Sequence, residues 1–199
     1  MQIQNMFPVP LAFFELEREF SKKELNFLMN QETRPNQGNT TSTDFLILQN
    51  KKIKELNTFV QSCIDKYFEE IYNPIHNVKL RITQSWLNYT KPGEYHHKHE
   101  HPNSVVSGVF YINADEELDK IIFYNDLYKQ ITFTPKNWNI YNSRSWWFSI
   151  KTGQLILFPS SFVHSVESKQ GENTRVSLSF NTFPVGQVGD NLNMTGLYL

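Results

Sequence analysis

Four of the six histidines fall within one run, Tyr95-His96-His97-Lys98-His99-Glu100-His101. Neutral imidazole is a common ligand for divalent transition metals, so a cluster this dense suggests metal chemistry. On an extended strand, residues two apart share a face. His97, His99 and His101 would then project together while Lys98 and Glu100 turn away. Two imidazoles at that spacing bind one metal if a third ligand arrives from elsewhere. His164, in Phe158-Pro159-Ser160-Ser161-Phe162-Val163-His164, is the natural candidate. Its segment is hydrophobic and β-rich, where an unpartnered imidazole is costly to bury. The cluster by itself also fits a surface tract that takes up metal adventitiously.

Downstream, Arg175-Val176-Ser177-Leu178-Ser179-Phe180-Asn181 alternates polar and apolar residues. A half-buried strand ordinarily turns its polar face to solvent. Turned inward, Arg175 needs an anion, and a guanidinium fork suits a carboxylate. Alternation alone leaves both orientations open.

These residues need a scaffold, and the periodicity changes midway along the chain. Ser21 and Glu24 have capping-box spacing, which predicts a short helix over Lys22–Asn30. Residues 31–43 are polar and read as a loop. From Lys51 to Tyr72, apolar residues recur at steps of three and four, the mark of an amphipathic helix. After Asn77 the period becomes two, first in Lys79–Tyr89. Strand-like runs follow at Val105–Asn113, Ile121–Tyr124, Ile131–Thr134, Ser145–Ile150, Leu155–Phe158, Val163–Glu167 and Arg175–Phe183. Several short strands divided by turns suggest a barrel or jelly roll. The expectation is one mainly β domain over 1–199, with helical support at about 1–77, a jelly-roll core at 78–183 and a C-terminal tail at 184–199.

Aromatic residues form 15% of the chain, enough to pack a β-rich core. A net charge of −1 with well-mixed signs argues against nucleic-acid and anionic-membrane partners. One cysteine, Cys63, rules out an internal disulfide and a cysteine-based zinc site. Pro8, Pro10 and Glu15 interrupt any leader-like apolar run, and no segment nears the roughly 20 apolar residues of a membrane helix. The expectation is a soluble, cytoplasmic domain, with pairing into a homodimer left open.

Four segments occur together and in order: Gly93-x5-His99-x-His101-Pro102-Asn103-Ser104, Ser107-Gly108-Val109-Phe110-Tyr111, Leu157-Phe158-Pro159-Ser160, and His164-x10-Arg175-x-Ser177. The combination resembles the 2-oxoglutarate- and Fe(II)-dependent oxygenases, and within them a bacterial and phage branch with an HxHPxSxxSGVYY-like core. The resemblance covers about 82–181 and, weakly, Phe7-Pro8-Val9-Pro10. It implies a double-stranded β-helix, or jelly roll, with N-terminal supporting α-helices. The spacing from Gly93 then gives His99 the first ligand position and His101 the second, with His164 as the distant third. His97 is a second-choice ligand and His96 peripheral. The family usually has aspartate where this chain has His101, so the set carries one less negative charge.

The resemblance further implies Fe(II) as metal and 2-oxoglutarate as co-substrate, held by Arg175, Ser177 and Asn88, with dioxygen as oxidant. No catalytic group beyond the metal ligands is implied. The product would be a hydroxylated peptide or small organic molecule. Tyr111 and Tyr124 fit either core or pocket. Of Trp146 and Trp147, one is expected to be buried and one at a pocket mouth or an interface, with residues 126–144 covering the substrate. A cupin-like three-histidine enzyme without 2-oxoglutarate explains the histidines but gives Arg175 no role. A non-catalytic jelly roll stabilised by metal, such as a phage structural module, is a third reading.

Overall fold

The computed structural model describes residues 1–125, 131 and 133–199. Helix α1, Lys22–Met29, starts as expected: Ser21 Oγ accepts from Glu24 N–H at 3.2 Å, and Glu24 Oε2 accepts from Ser21 N–H at 2.9 Å. Helix α2, Lys54–Tyr72, follows a 3-10 turn over Lys51–Ile53 and buries Leu56, Val60, Cys63, Ile64 and Tyr67. Asn73, with φ 41°, ends it in the left-handed conformation, its N–H bonding back to Phe68 and Glu69. Neither helix is long and apolar enough to cross a membrane.

Among the described residues the strands are β1 Ala12–Glu15, β2 Thr33–Asn36, β3 Asn39–Ser42, β4 Val78–Thr90, β5 His96–His99, β6 Val106–Asn113, β7 Lys120–Tyr124, β8 Ser145–Ser149, β9 Gln154–Pro159, β10 His164–Val166, β11 Arg175–Val188 and β12 Leu197–Tyr198. They form two antiparallel sheets. The larger runs β1-β9-β6-β11-β4-β3-β2, with β12 on β11; the smaller runs β5-β10-β7-β8. This is the mainly β jelly-roll arrangement, with α1 and α2 on the outer face of the larger sheet.

Alternation along the strands divides the interior in two. Phe110, Leu155, Leu157, Val176, Leu178 and Phe180 pack toward Leu56, Val60 and Ile64 of α2. Val109, Tyr111, Ile156 and Phe158 face the other way and meet Ile121 and Phe123 of the smaller sheet. The polar face of β11 therefore points between the sheets, because the helices claim its apolar face. Arg175 is 3% exposed, which settles the orientation that alternation left open.

Three expectations change. Residues 31–43 hold the β2–β3 hairpin, and β3 pairs with β4 (Thr40↔Tyr89, Thr41↔Asn88). An edge hairpin of threonine and asparagine carries no apolar alternation to reveal it. The region from 184 onward is not simply a tail, since β11 continues to Val188 beside the start of β4 and β12 folds back on it. The expected strand Ile131–Thr134 includes Thr132, which with 126–130 lies outside the described residues. Ile131, Phe133 and Thr134 are not in a strand. The expected substrate-covering segment falls partly on the same undescribed residues.

Candidate metal and co-substrate site

The pocket lies between the sheets where β5 meets β10. In their register His164 pairs with His99 and Val166 with His96, so three steps on β5 match two on β10. This extra residue is a β-bulge, and it reverses the alternation within β5. As a result His96, not His97, shares the pocket wall with His99. The expectation that His96 is peripheral is thus overturned, while His97 lies outside this wall with its ring centroid 4.8 Å from that of His99. His101 lies just past β5, where its N–H donates to Ser160 O at 2.9 Å and keeps its ring near His164.

The structure brings His99, His101 and His164 together: one ring nitrogen from each lies within 4.8 Å of the others. His99 Nδ1 is 2.8 Å from the His97 carbonyl, and His164 Nδ1 is 3.0 Å from the Phe162 carbonyl. A carbonyl only accepts, so each Nδ1 carries the proton and each Nε2 keeps its lone pair for a ligand. Burial holds all three imidazoles below the usual histidine range, His101 at about 4 and His164 at about 3, with neighbouring histidines adding to the effect. They are neutral at pH 7, as metal ligands must be. Glu100 is exposed, as alternation predicted.

The serines of the motif hold the walls together. Ser160 Oγ lies 2.7 Å from Ser104 Oγ and 2.8 Å from Ser107 Oγ, and Ser107 donates to Asn181 Oδ1 at 2.8 Å. Ser177 and Ser179 line the pocket beside Tyr111 and Gly108. Asn88 pairs with Ser177 in register and sits behind this wall, donating to Ser179 Oγ at 3.2 Å while its Oδ1 is buried without a partner.

Behind the wall lies a charge group that sequence reasoning missed. Arg175 Nη1 donates to Asp119 Oδ1 at 3.0 Å, and Lys169 Nζ is 3.5 Å from the same oxygen. All three side chains are 3% exposed or less. Two cations share one anion, leaving a net charge of +1 in a place where unpaired charge is expensive. Arg175 Nη2 and Tyr111 Oη are also buried with no hydrogen-bond partner. An incoming carboxylate would satisfy both the charge and these two donors, so the chemistry of this group fits an acidic ligand. Nothing in the Asp115–Lys120 or Ser168–Glu172 stretches marks Asp119 or Lys169 in the sequence.

The space between these walls is small, about 20 Å³, room for one water. His96 is one of its walls, stacked on His99 with ring centroids 4.7 Å apart, and among the described residues its ring makes no hydrogen bond. A separate, apolar groove of about 640 Å³ lies along β8, lined by Ile131, Phe133, Trp138, Trp146 and Trp147. Neither Trp146 (37% exposed) nor Trp147 (52%) is buried, so the expected division between them fails. Among the described residues β8 is the terminal strand of its sheet, paired on one side only. Tyr124 is outside the pocket wall, with its hydroxyl 2.9 Å from Ser165 Oγ.

Residues 84–181 match a family described as putative 2OG-Fe(II) oxygenase. Solved structures share the fold at low identity. An oxidoreductase of the 2OG-Fe(II) oxygenase family from Burkholderia pseudomallei is 12% identical, covering 86% of this chain and 83% of its own, with a TM-score of 0.60. HygX from Streptomyces hygroscopicus, with nickel and 2-oxoglutarate bound, is 10% identical over 87% and 82%, TM-score 0.57. A prolyl hydroxylase from Trichoplax adhaerens, in complex with a hypoxia inducible factor peptide, is 12% identical over 87% and 83%, TM-score 0.56. No curated protein matches in sequence. The β core of this chain belongs to the 2-oxoglutarate- and Fe(II)-dependent oxygenase superfamily, a group of oxidoreductases.

Proposed function

We propose that the protein is an Fe(II)- and 2-oxoglutarate-dependent dioxygenase of the hydroxylase type, acting on a peptide or small organic substrate. The observation that carries this reading is the buried, net-positive group of Arg175, Lys169 and Asp119 beside three neutral imidazoles. A cupin-like metal site would have no use for the unpaired Arg175 Nη2.

His99, His101 and His164 would hold iron, the first and last through Nε2. Arg175 Nη2 and Tyr111 Oη would take the far carboxylate of 2-oxoglutarate, with the Ser177 hydroxyl at the wall between. Asp119 holds the guanidinium in place through Nη1, so Nη2 is presented in a fixed direction. Asn88 steadies that wall through Ser179. When bound, iron and 2-oxoglutarate supply the oxidising chemistry, in which dioxygen is consumed, the keto acid leaves as succinate and CO2, and a substrate C–H bond is oxidised.

A five-carbon diacid exceeds about 20 Å³, and turning one wall aside would make room for it. His96 can be that wall, since among the described residues its ring makes no hydrogen bond. Substrate would approach over β8, because Trp146 pairs in register with Phe123, and Phe123 packs 6.0 Å from the His164 ring.

The experiment is turnover of 2-oxoglutarate by the purified protein with Fe(II) and air, reading succinate. Slow, substrate-independent succinate formation is expected, and Arg175→Ala should raise the 2-oxoglutarate requirement. No succinate, or turnover indifferent to that substitution, defeats the reading in favour of a metal site without 2-oxoglutarate.

A further inference from the structure

The bulge that brings His96 into the pocket leaves a second group of donors. One ring nitrogen each from His96, His97 and His99 lies within 4.8 Å of the others. The rings are close, with centroids 5.3 Å apart for His96–His97, 4.8 Å for His97–His99 and 4.7 Å for His96–His99. His97 Nδ1 approaches the Gln37 carbonyl only at 3.4 Å, a weak tether that leaves its Nε2 clear. Both nitrogens of His96 are uncommitted among the described residues. A regular strand would have put His96 on the face opposite His97 and His99, and no such trio would exist.

We infer that His96, His97 and His99 form a second seat for a divalent metal ion, one that shares His99 with the first and so is never filled together with it. The sharing is strict because His99 has one free lone pair, on Nε2, its Nδ1 being committed to the His97 carbonyl. An all-imidazole set selects borderline ions such as Zn2+ or Cu2+ and not oxygen-seeking Mg2+ or Ca2+. The consequence rests on the function proposed above. An ion in the second seat withdraws His99 from the set that would hold iron, and it fixes His96 as a wall of the co-substrate space. The seat is therefore inhibitory. Conversely, 2-oxoglutarate strengthens only the first set and should draw the ion out of the second by mass action.

The test uses metal-free full-length protein and Zn2+, followed by titration calorimetry. His164→Ala and, separately, His101→Ala each break the first set and leave the second whole. Each should still bind one equivalent of Zn2+, and adding His97→Ala should weaken that binding at least about tenfold, the scale of losing even a supporting partner of a ligand. Wild type should bind one equivalent in total. Binding by both variants that ignores His97→Ala, no binding by either, or two equivalents in wild type overturns the inference. A second measurement avoids altering the first set. Electron paramagnetic resonance of one equivalent of Cu2+ in wild type should show two overlapping species, reduced to one by 2-oxoglutarate or by His97→Ala. A single spectrum unchanged by either overturns it. Failure to form succinate with iron would leave these binding results standing and count against the first set's proposed function instead.

Discussion

Arg175 and Asp119 form a buried ion pair in which half of the guanidinium is unused: Nη1 donates to Oδ1 at 3.0 Å, while Nη2 is buried without a partner. Lys169 adds a second cation at 3.5 Å from the same oxygen. The two ends of this pair should therefore respond differently to substitution.

Asp119→Asn removes the anion that both cations share and leaves Arg175 and Lys169 buried together. Breaking a buried pair in this way costs about 3–5 kcal/mol. The urea midpoint should fall accordingly, and 2-oxoglutarate should recover part of the loss by supplying a carboxylate. Arg175→Met leaves Asp119 and Lys169 as a neutral pair. Its stability cost should be smaller than that of Asp119→Asn, yet its thermal shift with 2-oxoglutarate should vanish. Equal stability losses, or an undiminished shift in Arg175→Met, would show that the group is structural only.

Acid should act on the metal-free protein through the same pocket. Burial holds His96 at about 2, His164 at about 3 and His101 at about 4, against about 6.5 in an unfolded chain. The folded state thus disfavours protons that the unfolded state accepts. Stability is fully present above about pH 6.5 and declines as pH falls from there toward the folded values. Urea midpoints of metal-free protein at pH 7.5 and pH 5 should show the lower value at pH 5. A midpoint that holds or rises at pH 5 would mean that the imidazoles are solvated.

How much of this was legible in the sequence depended on whether a signal was local. The capping box at Ser21 and Glu24, the amphipathic run of α2 and the alternation of β4 and β11 each depend on neighbouring residues, and each appears where expected. Gly93, at φ 83° in the turn after β4, gave the register for His99, and His101 and His164 join it in space. His96 was misplaced because one extra residue in β5 reverses a period-two argument, and a bulge leaves no local mark in a run of histidines. Asp119 and Lys169 were missed because their burial depends on Arg175, 56 positions from Asp119. The hairpin β2–β3 was read as a loop because a polar edge strand gains its stability from the neighbour it pairs with, β4.

The capping box offers a prediction remote from the pocket. Ser21 Oγ and Glu24 satisfy two backbone donors at the start of α1, and Arg18 braces Glu24 Oε1 at 2.6 Å. Ser21→Ala should cost about 1 kcal/mol of stability. Turnover of 2-oxoglutarate per folded molecule should be unaffected, since α1 packs on the far side of the larger sheet. A change in turnover without loss of stability would contradict this separation.

Gly108 links packing to the pocket. It sits on β6 opposite Leu157 of β9 and Phe180 of β11, and a methyl group there would meet the Phe180 ring and lie 2.7 Å from Leu157 Cδ2. Both neighbours are fully buried, so neither has space to withdraw. Gly108→Ala should therefore destabilise the fold by about 1–3 kcal/mol through overpacking. The strain would push β6 away from its neighbours, and Tyr111, three residues on, would carry its hydroxyl away from Arg175. The thermal shift produced by 2-oxoglutarate should then shrink along with the urea midpoint. If the midpoint falls and the shift is unchanged, Tyr111 has no part in holding the co-substrate; if neither changes, the close approach of the three strands is not as tight as the structure places it.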